Sequence, residues 1–408
     1  MSEAHADVVG GASFRLVATM ATACALAVAT IYYHQPLLPQ MAASFGRTPA
    51  QASLIATLTQ LGYAAGLLLI VPLADGHQPR RLASLAIVAN AVALLACAAA
   101  PSFVFLCVAS FAIGLTAITA QLIIPVVSGH ASPASRGRIT GTLLSGLSTG
   151  LLLARTLSGF VGAHTSWRAV FALASIFDLA LLAVVARNLP AVESLASIGY
   201  GRLIRSLGSL IREERVLRYS AATGFLMFAA FSALWATLAA LLAQPPYALG
   251  PAAIGAFGLV SLLGITASPR IGSLVDRLGT RTLVLAGALV LALGFAFVAA
   301  GGRGLGWLIV GMVLLDFGNR AGLVANQARI HALRPEARSR LNTVFAGSYF
   351  LGGAAGAVLG NAGAHHAGWS GLAAVGVLLA LAAAAINART LTPFTTARSN
   401  PCHSTTSN

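Results

Sequence analysis

Four ionisable side chains stand inside long apolar stretches of the sequence, where a charge is costly. They are Arg155, Asp178, Asp316 and Arg320. Asp316 and Arg320 are four positions apart, so a helix would carry both charges on one face. Charged groups in such surroundings mark substrate contacts, proton sites or internal ion pairs. The sequence leaves these roles open for all four, and it allows Arg155 to pair with Asp178.

Uncharged polar and aromatic side chains in neighbouring apolar stretches have the chemistry to hold a small molecule by stacking and hydrogen bonding. The candidates are His34, Gln35, Gln60, Tyr63, Gln121 and Asn319. Trp235 is interpreted as a packing residue. The sequence contains no phosphate-binding loop, metal-ligand spacing or nucleophile motif. We therefore predict no catalytic residue, no metal, no cofactor and no enzymatic activity.

The elements that must position these residues are apolar helices. Of the 408 residues, 57% are hydrophobic and only 9% are charged, whereas about a quarter of a soluble domain is charged. The apolar runs approach the ~20 residues that a membrane-spanning helix needs. This composition excludes a secreted enzyme, a DNA-binding domain and a disordered chain, and the length of the runs argues against a β-barrel. We predict an all-α polytopic membrane protein with twelve transmembrane helices, at residues 15–36, 51–74, 82–100, 102–127, 138–163, 168–189, 217–243, 252–275, 281–301, 304–328, 340–363 and 369–388.

The placement of arginine predicts the orientation in the membrane. All 25 basic residues are arginine. With the N-terminus inside, 20 fall on the cytoplasmic side, three fall outside (Arg47, Arg168 and Arg303), and two stand within spans. Basic residues concentrate in cytoplasmic loops. We therefore predict a bacterial inner-membrane protein with both termini in the cytoplasm, and the net charge of +15 needs no nucleic-acid partner.

The two halves of the sequence repeat each other. Pro49 returns as Pro251 and Trp167 as Trp369, both 202 positions later. Six spans in each half give both halves the same orientation, so we predict two six-helix bundles related by a parallel repeat. The predicted domains are a cytoplasmic N-terminal tail (1–13), a first bundle (14–189), a cytoplasmic linker (190–216), a second bundle (217–390) and a disordered cytoplasmic tail (391–408).

The linker contains a basic amphipathic helix. Leu203, Leu207, Leu210 and Ile211 fall on one helical face, and arginines occupy the others. Such a helix either lies on the inner leaflet of the membrane or packs beneath the bundle.

Two loops one repeat apart carry similar charges. The segment from Gly272 to Arg281 reads GSLVDRLGTR and closely resembles the signature loop G-x-x-x-D-R-x-G-x-R of the major facilitator superfamily. The corresponding first-half loop, residues 73–81, keeps the acid and the arginines but lacks the expected glycines and the first basic residue. The resemblance implies that these loops latch neighbouring helix ends during a conformational switch. The gating-loop residues implied in this way are Asp75, Arg80, Arg81, Gly272, Asp276, Arg277, Gly279 and Arg281.

Other segments narrow the resemblance. Residues 31–39 and 324–330 look like a bacterial subgroup near the drug:proton antiporter and sugar-efflux families. The stretch from Gly150 to Gly159 is similar to the antiporter motif G-x-x-x-G-P-x-x-G-G, with Arg155 in the place of proline. The resemblance implies a monomeric secondary transporter in the lipid bilayer that exports a small-molecule substrate in exchange for protons. Arg155 and Arg320 favour an alternative, the uptake of a small anionic metabolite, and a transporter-like sensor is the third hypothesis.

Overall fold

Helices make up nearly all of the described chain. The computed structural model describes residues 8–9, 12–132, 135–191, 199–334 and 337–389. Two short strands, Val8–Val9 and Ala12–Ser13, pair antiparallel ahead of the first helix. The predicted C-terminal tail, most of the predicted N-terminal tail and part of the linker lie outside the described residues.

The described residues of the first half form eight α-helices and two 3-10 turns, Gln35–Leu37 and Val71–Asp75. The α-helices are α1 (Phe14–Ala29), α2 (Leu38–Ser44), α3 (Pro49–Leu69), α4 (Pro79–Ala98), α5 (Phe103–Thr116), α6 (Thr119–Gly129), α7 (Arg136–His164) and α8 (Trp167–Asn188). Side chains at their first residues help to start them. The Thr48 hydroxyl accepts a hydrogen bond from the Gln51 backbone N–H at 3.3 Å, and the Gln51 side chain accepts one from the Thr48 N–H at 3.1 Å. This capping box satisfies N–H groups that the start of α3 leaves unpaired.

The second half follows a linker helix. Its helices are α9 (Tyr200–Glu213), α10 (Arg215–Leu242), α11 (Pro251–Ala256), α12 (Ser261–Ala299), α13 (Leu305–His331) and α14 (Arg338–Ala388), with 3-10 turns at Phe257–Val260 and Ala300–Gly302. Helices α12 and α14 each turn back at a glycine in the left-handed region, Gly279 with φ 76° and Gly368 with φ 55°. Glycine adopts this conformation without the steric cost of a side chain. Each of these long helices therefore supplies two of the predicted spans.

Nine helical segments of the described residues are long and apolar enough to cross a membrane. This finding confirms a helical, multi-pass membrane protein, while the count of twelve spans and the repeat layout stay predictions. The first predicted span, 15–36, is wrong as a single helix, because α1 ends at Ala29 and the chain continues through turns to α2. Pro36 follows this break; its ring removes a backbone donor and disfavours helical geometry at the residue before it.

The linker helix is present and packs against protein. Leu203, Leu207 and Leu210 are buried, and the Tyr200 hydroxyl donates to the carbonyl oxygen of Leu69 at 2.9 Å. Ile211, on the same face by helical spacing, is 42% exposed. The buried leucines favour the interpretation of a helix packed beneath the bundle.

The buried apolar residues form separate cores in the two halves. One cluster runs from Leu207 to Ala384, and two others draw their buried members from residues 17–189. Within the second half, glycines allow close contact: a side chain at Gly352, Gly356 or Gly360 of α14 would collide with α10. Small residues serve this purpose where helices associate in membranes.

Two helix crossings join the halves within the described residues. In the first, Thr156 of α7 donates to the carbonyl oxygen of Gly255 at 3.2 Å, and a Cβ at Gly159 would fall 2.5 Å from the carbonyl oxygen of Pro251. In the second, α3 packs on α14, where a side chain at Gly347 would collide with Leu68. The second crossing lies on the side that the arginine distribution predicts to be cytoplasmic. The space between the crossings holds the polar residues described next.

Candidate functional site

Arg155 lies at the centre of the contact between the halves. Its side chain is buried on α7, and its guanidinium carbon lies 3.6 Å from the ring centroid of Trp235 on α10. Its Nε donates to Gln35 Oε1 at 2.6 Å. Stacking on an aromatic face and a hydrogen bond to an amide both favour a guanidinium at this position. Neither partner carries a negative charge.

The turn after α1 brings more polar groups to Arg155. The Tyr32 ring centroid lies 5.1 Å from the guanidinium carbon, and buried His34 is close enough to interact with its charge. The α-helix ends at Ala29, and the tighter turns that follow place Gln35 beside Arg155 and Trp235. The break in the first span therefore positions the site.

Several polar atoms around this point have no hydrogen-bond partner in the described structure. They include one terminal nitrogen of Arg155, Nε2 of His34 and Oε1 of Gln60, all buried. A buried polar group without a partner costs free energy, so native proteins rarely leave one unpaired. Three such atoms in one region point to a place where a ligand supplies the missing partners.

An aromatic layer lies on the other side of Gln60. Tyr63 and Phe350 meet edge to face with ring centroids 4.5 Å apart, and Phe228 stacks on Tyr349 at 4.0 Å. Gln121 donates from its side-chain amide to the Tyr63 hydroxyl at 3.3 Å. These rings come from α3, α10 and α14, so both halves contribute to the layer.

Helix α13 contributes the second charged cluster. Arg320 Nε lies 3.0 Å from Asp316 Oδ2, which forms the ion pair that the four-residue spacing allows. Asn319 donates from its side-chain amide to the Tyr349 hydroxyl at 2.9 Å and thereby joins this helix to the aromatic layer. Asp316 is also near enough to Arg155 to interact with its charge. Its carboxylate is nevertheless engaged by Arg320.

Asp178 stands apart from the central residues. It is buried on α8, close enough to Tyr33 to interact with it. Within the described residues no ion pair links Asp178 to Arg155, so the pairing that the sequence allows is not formed. The Arg155 side chain instead contacts Trp235 and Gln35, whereas Asp178 is close enough to Tyr33 to interact with it.

The gating-loop residues lie away from the centre. Asp75 ends the 3-10 turn after α3, and Arg340 at the start of α14 is its charged neighbour. Gly279 provides the bend within α12, and Arg281 Nη2 donates to the carbonyl oxygen of Ala388 at 2.9 Å. Arg80 is half-buried, and Arg81 and Arg277 are exposed. The surroundings of Gly272 and the side chain of Asp276 lie outside what the structure describes.

Sequence reasoning missed four residues of the central region. Trp235 was interpreted as packing, yet it stacks on Arg155. Phe228, Tyr349 and Phe350 were not singled out, although they form most of the aromatic layer. Trp235 and Phe228 are seven residues apart on α10, a spacing that places both on one helical face. That spacing was a usable signal, but it does not distinguish a binding surface from ordinary packing.

The central region is closed in this conformation. The cavity between Arg155, Trp235 and Ile254 has a volume of about 10 Å³, room for about one water molecule. A small organic molecule needs a larger space, so the helices around Arg155 have to separate before one can bind. The two crossings are the contacts that such a movement would break.

Comparisons with known proteins agree with this architecture. The chain is 36% identical to the uncharacterized transporter YgaY of Escherichia coli over 366 residues, which cover 90% of this chain and 93% of the relative. It is 35% identical over 370 residues to a Streptomyces coelicolor protein named as a transporter, with 90% and 85% of the two chains covered. The crystal structure of the nucleoside transporter NupG superposes with a TM-score of 0.75 at 14% identity, over 91% of this chain and 99% of that one.

The family model described as Major Facilitator Superfamily matches residues 20–277 and 221–403. These matches together span both halves and the central residues between them. The family and the transporter relatives identify a multi-pass membrane protein of small-molecule transport. The chain belongs to the major facilitator superfamily.

Proposed function

We propose that this protein is a monomeric secondary active transporter of the bacterial inner membrane that exports small organic molecules in exchange for protons. The observation that carries the proposal is the group of unpartnered buried polar atoms around Arg155, at the contact between the halves. A ligand bound there touches both halves. Relative movement of the halves then exposes it first to one side and then to the other, as alternating access requires.

The charge of Arg155 supports an anionic substrate. Its described partners, Gln35, Trp235 and Tyr32, are all uncharged, and the nearby Asp316 is engaged by Arg320. A buried charge is costly unless a counter-charge accompanies it. A carboxylate or phosphonate on the substrate supplies this charge and accepts hydrogen bonds from the free nitrogen of the guanidinium.

The surroundings of Arg155 support an organic substrate rather than an inorganic anion. Trp235, Leu238 and Ile254 line the same cavity, and apolar walls with a few polar groups are typical of small-molecule sites. The same observation favours a second candidate function, the uptake of a small organic anion. Export and uptake share this site and differ in which side of the membrane supplies the substrate.

For the coupling proton we propose Asp178. An acid in the hydrocarbon region is a typical proton carrier in transporters, and within the described residues Asp178 has no ion-pair partner. Asp178 is close enough to Tyr33 to interact with it, and Tyr33 immediately precedes His34 and Gln35 in the chain. Asp316 is the weaker candidate, because its carboxylate is already paired with Arg320.

The direction is tested with membrane vesicles of both orientations. Inside-out vesicles with an acidic lumen should accumulate organic anions from a compound panel, and the protonophore that collapses the gradient should abolish this. Right-side-out vesicles should accumulate them only under the reverse gradient. Accumulation by right-side-out vesicles under the natural gradient would establish uptake instead. Transport that is indifferent to the gradient in both preparations would overturn proton coupling.

A further inference from the structure

A crevice at one end of the second bundle has no part in the transport site. It lies where α10 begins and α14 ends, and its volume is about 370 Å³. Arg215, Arg218, Tyr219 and Ala222 line one wall, and Ile386 and Arg389 line the other. The four residues on α10 recur at intervals of three and four, which places them on one helical face.

The crevice carries a concentrated positive charge. Three of its six lining residues are arginines. The two acids that precede α10 do not neutralise them, because Arg334 engages both: its Nη2 lies 3.2 Å from Glu213 Oε2 and its Nε 2.7 Å from Glu214 Oε1. The three guanidinium groups therefore favour an anion.

Two of the arginines are held in place by neighbouring groups. Arg215 Nη2 donates to the Tyr219 hydroxyl at 3.1 Å. Arg218 Nη1 donates to the carbonyl oxygens of Ile211 at 2.9 Å and Arg212 at 2.5 Å, at the end of the linker helix. A guanidinium has five N–H donors, so both keep donors for a bound group. Arg guanidinium geometry suits phosphate oxygens in particular.

The polarity of the crevice changes with depth. The arginines stand at the beginning of α10 and just beyond the end of α14. Ala222 and Ile386 lie about one helical turn further from these helix ends. A charged rim above an apolar wall matches a phospholipid, whose phosphate lies at the membrane surface and whose acyl chains point inward. Basic pockets between transmembrane helices on the cytoplasmic side bind such headgroups.

We propose that this crevice binds the phosphate headgroup of an anionic phospholipid from the cytoplasmic leaflet. The bound headgroup contacts α10 and the end of α14, and through Arg218 it reaches the end of the linker helix α9. One lipid would thereby fasten the linker between the halves to two helices of the second bundle. The proposal is independent of the transported substrate.

The test is lipid binding to the purified full chain. Native mass spectrometry in detergent should show retention of phosphatidylglycerol or cardiolipin and much weaker retention of phosphatidylcholine. The variant Arg215→Gln/Arg389→Gln should bind the anionic lipid about thirtyfold more weakly, because each arginine near the surface contributes about fivefold. The control Arg136→Gln/Arg138→Gln removes the same charge from exposed positions on α7 and should keep wild-type retention.

A second variant separates shape from charge. Ala222→Trp fills the crevice without altering its charge and should lower retention by a similar factor. Glycerol phosphate, which has the headgroup phosphate without acyl chains, should not compete at millimolar concentration. Equal retention by wild type and both crevice variants would overturn the proposal, and so would equal retention of phosphatidylcholine. Full competition by glycerol phosphate would replace the lipid with a soluble phosphate ester.

Discussion

Arg155 of the first half stacks on Trp235 of the second, with 3.6 Å between the guanidinium carbon and the ring centroid. Trp235 and the amide of Gln35 hold the guanidinium without neutralising it. The contact therefore has two functions in our proposal: it closes the cavity in the substrate-free protein, and it presents a positive charge to an incoming anion. Both functions depend on one residue from each half, Arg155 and Trp235, at the contact along which the halves are proposed to move.

The first prediction concerns this contact. Arg155→Gln should reduce binding of the transported anion by more than tenfold, because a charge-assisted hydrogen bond is lost. Trp235→Leu should weaken binding less than Arg155→Gln, because it removes an aromatic wall of the site but leaves the charge of Arg155 in place. The measurement is ligand-induced thermal stabilisation of the purified variants. Trp307→Leu is the matched control, because Trp307 is half exposed and remote from Arg155 in sequence and contacts.

Arg155→Lys sharpens this prediction. Lysine keeps the charge but loses the planar group that stacks and donates in a fork, so binding should fall nearly as far as in Arg155→Gln. Full binding by Arg155→Lys would show that charge alone matters and would remove the stacked geometry from the proposal.

The second prediction concerns the crossing of α7 with α11. A Cβ at Gly159 would fall 2.5 Å from the carbonyl oxygen of Pro251, so Gly159→Leu should prevent this crossing from closing. We expect transport to fall at least tenfold at an unchanged membrane level. Single cysteines introduced near Arg155 should react faster with a thiol reagent that is added on the side of the membrane where α11 lies. Gly141→Leu, on the same helix with open space around it, should transport normally; equal loss in both variants would indicate a general defect of α7.

Much of the fold follows from sequence because the bilayer permits few alternatives. Long apolar runs in a membrane have to be helices, and most predicted spans coincide with a helix within a few residues. The break after Ala29 was missed although Pro36 and Pro39 signal it, because the apolar run continues through the turn. The hydropathy of a segment indicates whether it favours apolar surroundings, but it does not indicate whether its backbone is helical.

The site was predictable as a set of residues but not as an arrangement. The cost of a buried charge singled out Arg155, Asp178, Asp316 and Arg320, and the Asp316–Arg320 pair followed from helical spacing within one element. Which residue Arg155 meets depends on how α7, α10 and the turn after α1 pack. No local pattern encodes that packing, so the stacking on Trp235 emerged only in three dimensions.

The third prediction concerns topology. The arginine distribution places the linker and the C-terminal end on the cytoplasmic side, so reporter fusions after residues 200 and 400 should both read cytoplasmic. Paired alkaline phosphatase and fluorescent-protein fusions give opposite signals on the two sides and check each other. A periplasmic signal at either position would contradict the orientation and the proposed lipid leaflet.

The last prediction separates the two buried acids. In Arg320→Gln the carboxylate of Asp316 loses its partner at 3.0 Å, and breaking a buried pair costs about 3 kcal/mol, so the yield of folded protein should fall. Asp316→Asn/Arg320→Gln removes both charges and should recover yield and gradient-driven transport. Asp178→Asn removes an acid that has no ion-pair partner among the described residues, so folding should tolerate it. This variant should still bind substrate and exchange it across vesicles, while losing the response to an imposed pH gradient. The measurement is counterflow beside gradient-driven accumulation for each variant. If Asp178→Asn keeps its gradient response and the double variant loses it, the coupling proton belongs to Asp316, and the ion pair with Arg320 is part of the transport cycle.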